Sequence, residues 1–207
     1  MAERDRVAML RRFVATWYAD APTGQVDLGG CDVPLPLREF YRAAAGRAAV
    51  LGVQNFARTA HQLCPQPDGW VPFIDENQGA FTLLYRPGVA DPPVRCDDGR
   101  RKNDEVEPLS GVLLQFVLFE AAIAAAFGAC GWLPPDDLHR LVGPLRRVPL
   151  GPAGWTGGPA SVHIGSGLVV TADTDADGDS YVFIGARHPA ALRPLRAMRV
   201  PWERFDD

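Results

Sequence analysis

Lysine is almost missing from this chain. Lys102 is the only one among 21 basic residues, and the rest are arginines. We read that bias as the coding preference of a GC-rich genome, with no bearing on mechanism. Excess positive charge is missing too. Against 25 acidic residues the formal net charge is −4, which argues against broad binding of nucleic acid or of an anionic membrane. Cysteine is sparse. Cys31, Cys64, Cys96 and Cys130 lie far apart, with no CxxC and no Cys/His pair at metal-ligand spacing. Four reduced, mostly buried thiols in a cytoplasmic protein are the expectation. The opening residues, MAERDRVAML, mix charges of both signs and hold no apolar run, so no signal peptide is expected.

Catalytic signatures are also lacking. There is no GxSxG, and the Gly165-Ser166-Gly167 triplet lies inside a strand pattern. His61, His139, His163 and His188 stand apart, with no HExxH and no paired acid. The glycine-rich run 151–158 holds no lysine and follows no clear strand, so a phosphate loop is unsupported. Asp75 and Glu76 are adjacent carboxylates. Neighbours on a strand point to opposite faces, so they do not form a catalytic pair.

What is present is core material. The chain is 47% hydrophobic over 207 residues, enough for a sizeable interior. Trp70 to Tyr85, WVPFIDENQGAFTLLY, reads as two strands joined at Asn77-Gln78-Gly79, where glycine can take positive φ. Helices are expected over 3–19, where Val7, Leu10, Val14 and Trp17 recur at helical spacing, and from Pro36 to Gly46, with Gly46 past the end. Leu109 to Leu133 is apolar for 25 residues but carries Glu120 near its middle. A carboxylate at mid-bilayer costs a few kcal/mol, so a buried helix over 109–130 is preferred to a membrane span. A short helix over 134–142 follows, then strands over 162–172 and 180–186, and a helix over 189–198. Residues 86–108 read as a loop, charged and exposed from Arg100 to Glu107. No linker divides the chain, so a single α+β domain over 1–207 is expected.

Two acidic stretches draw notice. Asp173-x-Asp175-x-Asp177-Gly178-Asp179 matches the front of a calcium loop. Its twelfth position is Ile184 instead of glutamate, and its flanks are strands. A solvated hairpin turn, with no metal and no cofactor, is the expectation. The other stretch holds Asp97, Asp98, Asp104, Glu105 and Glu107. Together with Asp175, Asp177 and Asp179, these residues are candidates for steering a basic protein partner.

The central stretch carries a family resemblance. FIDENQGAF, followed by DPPV, resembles the core signature of the SUKH superfamily, which groups bacterial immunity proteins with a yeast cell-wall-synthesis regulator. The motif residues are Glu76, Asn77, Gln78, Gly79, Asp91, Pro92 and Pro93. LPLREFYRAAAGR resembles the helix before that core, and LSGVLLQFVLFEA the main helix after it, so the likeness covers about residues 35–125. Relatives often carry Trp-Gly in the strand after ENQG, where this chain reads FTLLY. The resemblance implies an α+β fold with one mixed or antiparallel sheet of about five to six strands wrapped by helices. It implies motif residues that serve the fold, and no enzymatic activity. It further implies a cytoplasmic immunity protein that neutralises a secreted toxin domain by direct binding; the charge balance argues that neither nucleic acid nor a membrane is a partner. A regulatory scaffold for a host protein is the alternative, and a hydrolase using His163 or Asp179 is the rival from another class.

Overall fold

The strands of this chain are antiparallel and fall into two sheets. The computed structural model describes residues 1–26, 28, 33–156, 160–165 and 167–206. Cys31 and Ser166 lie outside the described residues. The α+β class is as expected, with helices packed on antiparallel sheets. Where one sheet was expected, there are two, of five and six strands. The strand-poor reading of 86–108 and 124–133 hid the difference.

The chain forms two compact units, Met1–Val117 with Ala153–Trp155, and Leu118–Pro152 with Thr156–Asp207. The first opens with α1 (Glu3–Trp17) and α2 (Leu35–Ala44). Gly46, at φ +78, takes the left-handed position just past α2, as its placement suggested. Its sheet runs in chain order: β1 (Asn55–Ala57), β2 (Val71–Glu76), β3 (Thr82–Tyr85), β4 (Val94–Asp97) and β5 (Lys102–Asp104). The expected hairpin is β2–β3. Pro72 sits in a strand paired on both sides, yet donates no N–H. The register shifts between Pro72 and Ile74, and such a bulge is where proline is tolerated. Phe73, Ile74 and Leu83 are fully buried, and Phe73 meets Tyr85 edge-on at 5.8 Å. Phe40 of α2 meets Phe116 at 5.9 Å. Each such burial contributes about 1.5–3 kcal/mol.

The loop expected over 86–108 instead contains the hairpin β4–β5. Gly99, at φ +77, turns it, and Asp98 accepts hydrogen bonds from the Arg100 and Arg101 amides. Polar strands at a sheet edge lack the apolar alternation that reveals strands in sequence.

The helix expected over 109–130 is shorter. α3 (Leu109–Ile123) begins in the first unit and ends in the second, and β6 (Phe127–Leu133) follows it. A continuous apolar run does not separate a buried helix from a buried strand, and here sheet pairing decides. β6 pairs with β10 (Ser180–Ala186) over seven residue pairs, from Ser180 with Leu133 to Ala186 with Phe127. Glu120 is buried in α3. Among the described residues, no helix is long and apolar enough to cross a membrane.

The second unit continues with α4 (Pro135–Val142), β7 (Arg146–Arg147), β8 (Ala160–Gly165), β9 (Leu168–Thr174) and, after β10, β11 (Arg204–Phe205). The single strand expected over 162–172 is two, reversing around Gly167, whose φ is +75. Sheet order is β11-β6-β10-β9-β8-β7, all antiparallel. The helix expected over 189–198 is 3₁₀ over Pro189–Ala197, with Pro194 inside it. Proline removes a donor and clashes with the preceding turn, which disfavours a regular α-helix. Val182, Ile184, Val170, Leu133, Leu141, Leu192 and Leu195 form the core on one face of this sheet.

Gly79, at φ +75, turns β2 into β3, and a Cβ there would meet nothing within 4 Å. Gly79→Val is therefore expected to act through backbone strain alone, lowering stability by about 1 kcal/mol or more. An unchanged melting temperature would show that this turn tolerates a side chain.

Candidate functional site

The motif residues are best understood from their hydrogen bonds. Glu76 ends β2, and its Oε2 accepts from the amides of Gln78 at 2.7 Å and Ala80 at 3.0 Å. The Gly79 amide donates to the Glu76 carbonyl at 3.0 Å. The Asn77 amide donates to the Gln54 carbonyl at 3.1 Å, and Gln54 Nε2 donates to Glu76 Oε1 at 3.0 Å. The Ala80 amide bond, against some desolvation, together with those from Gln78 and Gln54, holds the Glu76 carboxyl below its usual range. Asp75 points the other way, to Arg58 at 2.6 Å and Thr82 at 2.9 Å. Burial pushes the Asp75 carboxyl up, but the Arg58 and Thr82 bonds and the Arg58 charge prevail and lower it.

Asp91 anchors α3. Its carboxylate accepts from the Ser110 amide at 2.8 Å and the Ser110 hydroxyl at 2.7 Å. The Pro92 carbonyl accepts from the Leu109 amide at 2.8 Å, and the Pro93 carbonyl from the Arg86 amide at 3.2 Å. The Asp91 and Pro92 bonds satisfy amides that the first turn of α3 leaves without partners.

The first acidic stretch is largely neutralised. Asp104 pairs with Arg95 Nε at 2.7 Å, and Asp97 lies 3.4 Å from Lys102. Arg95 also stacks over Trp70 at 4.2 Å. Glu105 is half-buried and accepts from the Gly154 amide at 3.0 Å; burial pushes its carboxyl up. Glu107, expected to be exposed, is buried, with Arg6 Nη2 at 2.7 Å. A buried carboxylate persists because a cation accompanies it, and it is closed to a partner protein. From Val94 to Glu107 there are five acids and four bases, a net charge of 4 − 5 = −1.

The second acidic stretch differs. Asp175 Oδ1 accepts from the amides of Asp177 at 2.9 Å and Asp179 at 3.0 Å, which closes the β9–β10 turn. Among the described residues, no ion pair neutralises Asp173, Asp175, Asp177 or Asp179, and no group of three or more His, Cys, Asp or Glu is placed to hold a metal. The turn borders an aromatic row that the sequence did not reveal. Trp132 of β6 and Asp173 of β9 lie directly across from Tyr181 of β10, on one face. Trp132 is 47% exposed and meets Tyr181 edge-on at 5.3 Å. Tyr181 meets Phe183 at 5.2 Å, and Phe183 meets Phe119 at 6.2 Å. The Tyr181 hydroxyl donates to Glu203 Oε2 at 2.7 Å. Burial first, then Cys130 and Glu203, pushes its phenol up, so it stays a donor. A Cβ on Gly178 would stand 3.8 Å from Pro135, which places the turn beside the Asp136–Asp137 start of α4.

This surface offers an aromatic platform rimmed by carboxylates, suited to non-covalent contact with a cationic group. His163 Nε2 lies 3.3 Å from Ser161 Oγ, and burial and Arg147 push its imidazole down. His163 pairs across from Val170, and Asp179 precedes the pairing of Ser180 with Thr174. Those rows are about 14 Å apart along the strand, so the two are not brought together. Compared with protein-family models, with curated proteins and with solved structures, the chain matches none.

The cysteines are less buried than expected. Cys64 is exposed, and Cys96 and Cys130 are half-buried; all three are free thiols. Burial, then Glu105, Asp98 and Asp97, pushes the Cys96 thiol up to about 12. Alkylation of the folded protein at pH 8 is expected to modify Cys64 and spare Cys96, as read by peptide mass spectrometry. Equal labelling would contradict that environment.

Glu76 carries a pH signature. Its folded carboxyl lies below the unfolded value of about 4.3, so the stabilisation is present above that pH and disappears as pH falls through the folded value. Glu76→Gln is expected to melt below wild type at pH 7, with the gap closing as the solution is acidified toward pH 3. A gap that stays constant would show that the charge is not what matters.

Proposed function

We propose that this chain is a non-enzymatic protein-binding module that takes a basic partner on the β6–β10 face. Within that class, the reading is an immunity protein of the SUKH type, which occupies a cognate polymorphic toxin in the cytoplasm. The observation that carries the binding reading is the exposed Trp132 beside Tyr181, bordered by Asp173, Asp175, Asp177 and Asp179, which no ion pair among the described residues neutralises. Exposed, rigid aromatics dominate binding hot spots, and surrounding acids accelerate and orient the approach of a basic surface. The SUKH part rests on the ENQG and DPPV residues, whose hydrogen bonds hold the hairpin and the start of α3.

Co-expression with a candidate toxin domain, with gel filtration of the mixture, tests this. Protection of the cell and a stable complex are expected. Trp132→Ala should weaken the complex by about 2 kcal/mol, roughly thirtyfold. The triple variant Asp175→Asn, Asp177→Asn, Asp179→Asn should slow association and flatten its salt dependence. If the wild type neither protects nor forms a complex, the immunity reading fails. If it does both and neither variant matters, the β6–β10 face is not the contact.

A further inference from the structure

A groove of about 750 Å³ runs between α1 and α2, with the opposite charge to the rest of the chain. Its width comes from small side chains. Ala8 and Ala15 of α1 and Ala43 of α2 leave a trough where longer residues would fill the space. Its walls are cationic: Arg11 and Arg12 from α1, Arg42 from α2, and Arg47 just beyond the end of α2. One carboxylate, Glu39, lines it and is 9% exposed. Four guanidinium groups against one carboxylate leave 4 − 1 = +3 in a chain whose formal total is −4.

Three of these arginines are held in place. Glu39 Oε1 accepts from Arg42 Nη1 at 2.5 Å, and its Oε2 lies 3.2 Å from Arg11 Nη1. Arg47 donates to the carbonyls of Ala43 at 3.1 Å and Tyr18 at 3.4 Å. The Arg12 side chain makes no hydrogen bond or ion pair with the described residues. Each guanidinium has five N–H donors, so most donors lining the groove are left to solvent or to a ligand. Prepositioned guanidinium forks match the paired oxygens of phosphate and carboxylate, and the volume falls within the range of small-molecule clefts.

We propose that this groove binds a small multivalent oxyanion, with phosphate groups favoured over carboxylates. The site lies wholly within the first unit and does not depend on the immunity reading. Phosphate is favoured because it presents oxygens in several directions to arginines that approach from two helices. A planar carboxylate satisfies one fork at a time.

Isothermal titration of the full chain with pyrophosphate and with citrate, at low ionic strength and pH 7, tests the proposal. Pyrophosphate is expected to bind with a dissociation constant in the millimolar range or below, weakening as salt is raised, and to bind more tightly than citrate. The double variant Arg12→Ala, Arg42→Ala should weaken binding at least tenfold. Arg12→Ala alone should weaken it severalfold with no change in melting temperature, because Arg12 holds nothing else in the fold. Arg193→Ala, at an exposed position in the other unit, should leave it unchanged. No heat with either anion at millimolar concentration would overturn the site, and so would equal affinity in the double variant. Tighter binding of citrate would overturn the phosphate assignment.

Discussion

The pairing of β6 with β10 is the constraint on which the second unit depends. Seven consecutive residue pairs commit Phe127–Leu133 to extended backbone, although its composition would equally suit a helix. That commitment ends α3 at Ile123. It places Gly185 against the α3 terminus, where a Cβ would stand 2.4 Å from the Ala121 carbonyl. Because side chains alternate across a strand, it also sends Leu133, Val182 and Ile184 into the core and leaves Trp132 and Tyr181 on the opposite face. One choice of register thus creates both the core and the candidate binding surface.

Charge is divided unevenly along this chain. The hairpin β4–β5 compensates its acids internally, so its many charged residues produce little field. The β9–β10 turn spends one carboxylate, Asp175, on its own amides and leaves two others, Asp177 and Asp179, facing solvent. The α1–α2 groove collects arginines around a single buried acid. A net charge of −4 hides these separate regions, and it is local fields that steer a partner or hold an ion.

The motif carboxylates show how a polar side chain can serve architecture. Glu76 satisfies amides in a tight turn, and Asp91 satisfies one at a helix start. Such amides have no partner within their own element, and leaving them unpaired costs stability. Both carboxylates are occupied with backbone amides of their own neighbourhood.

Local chemistry was legible in the sequence. The β2–β3 hairpin followed from Gly79, α1 and α2 from apolar spacing and the Gly46 stop, and the acidic turn from Asp175 to Asp179. These are decided by φ preferences and by neighbours a few residues away. The hidden parts are non-local. Whether 127–133 is helix or strand depends on a partner some fifty residues later. The exposure of Trp132 follows from that register, and Glu107 became buried only because Arg6 meets it from the far end of the first unit's sequence. Arg11 and Arg42 face one another across two packed helices, and no spacing rule links them. The sequence by itself determined turns, caps and helix faces, since their energies are short-range. Only the tertiary structure decided which charges are neutralised, which aromatics stay at the surface and where a groove opens, because those depend on residues brought together by packing.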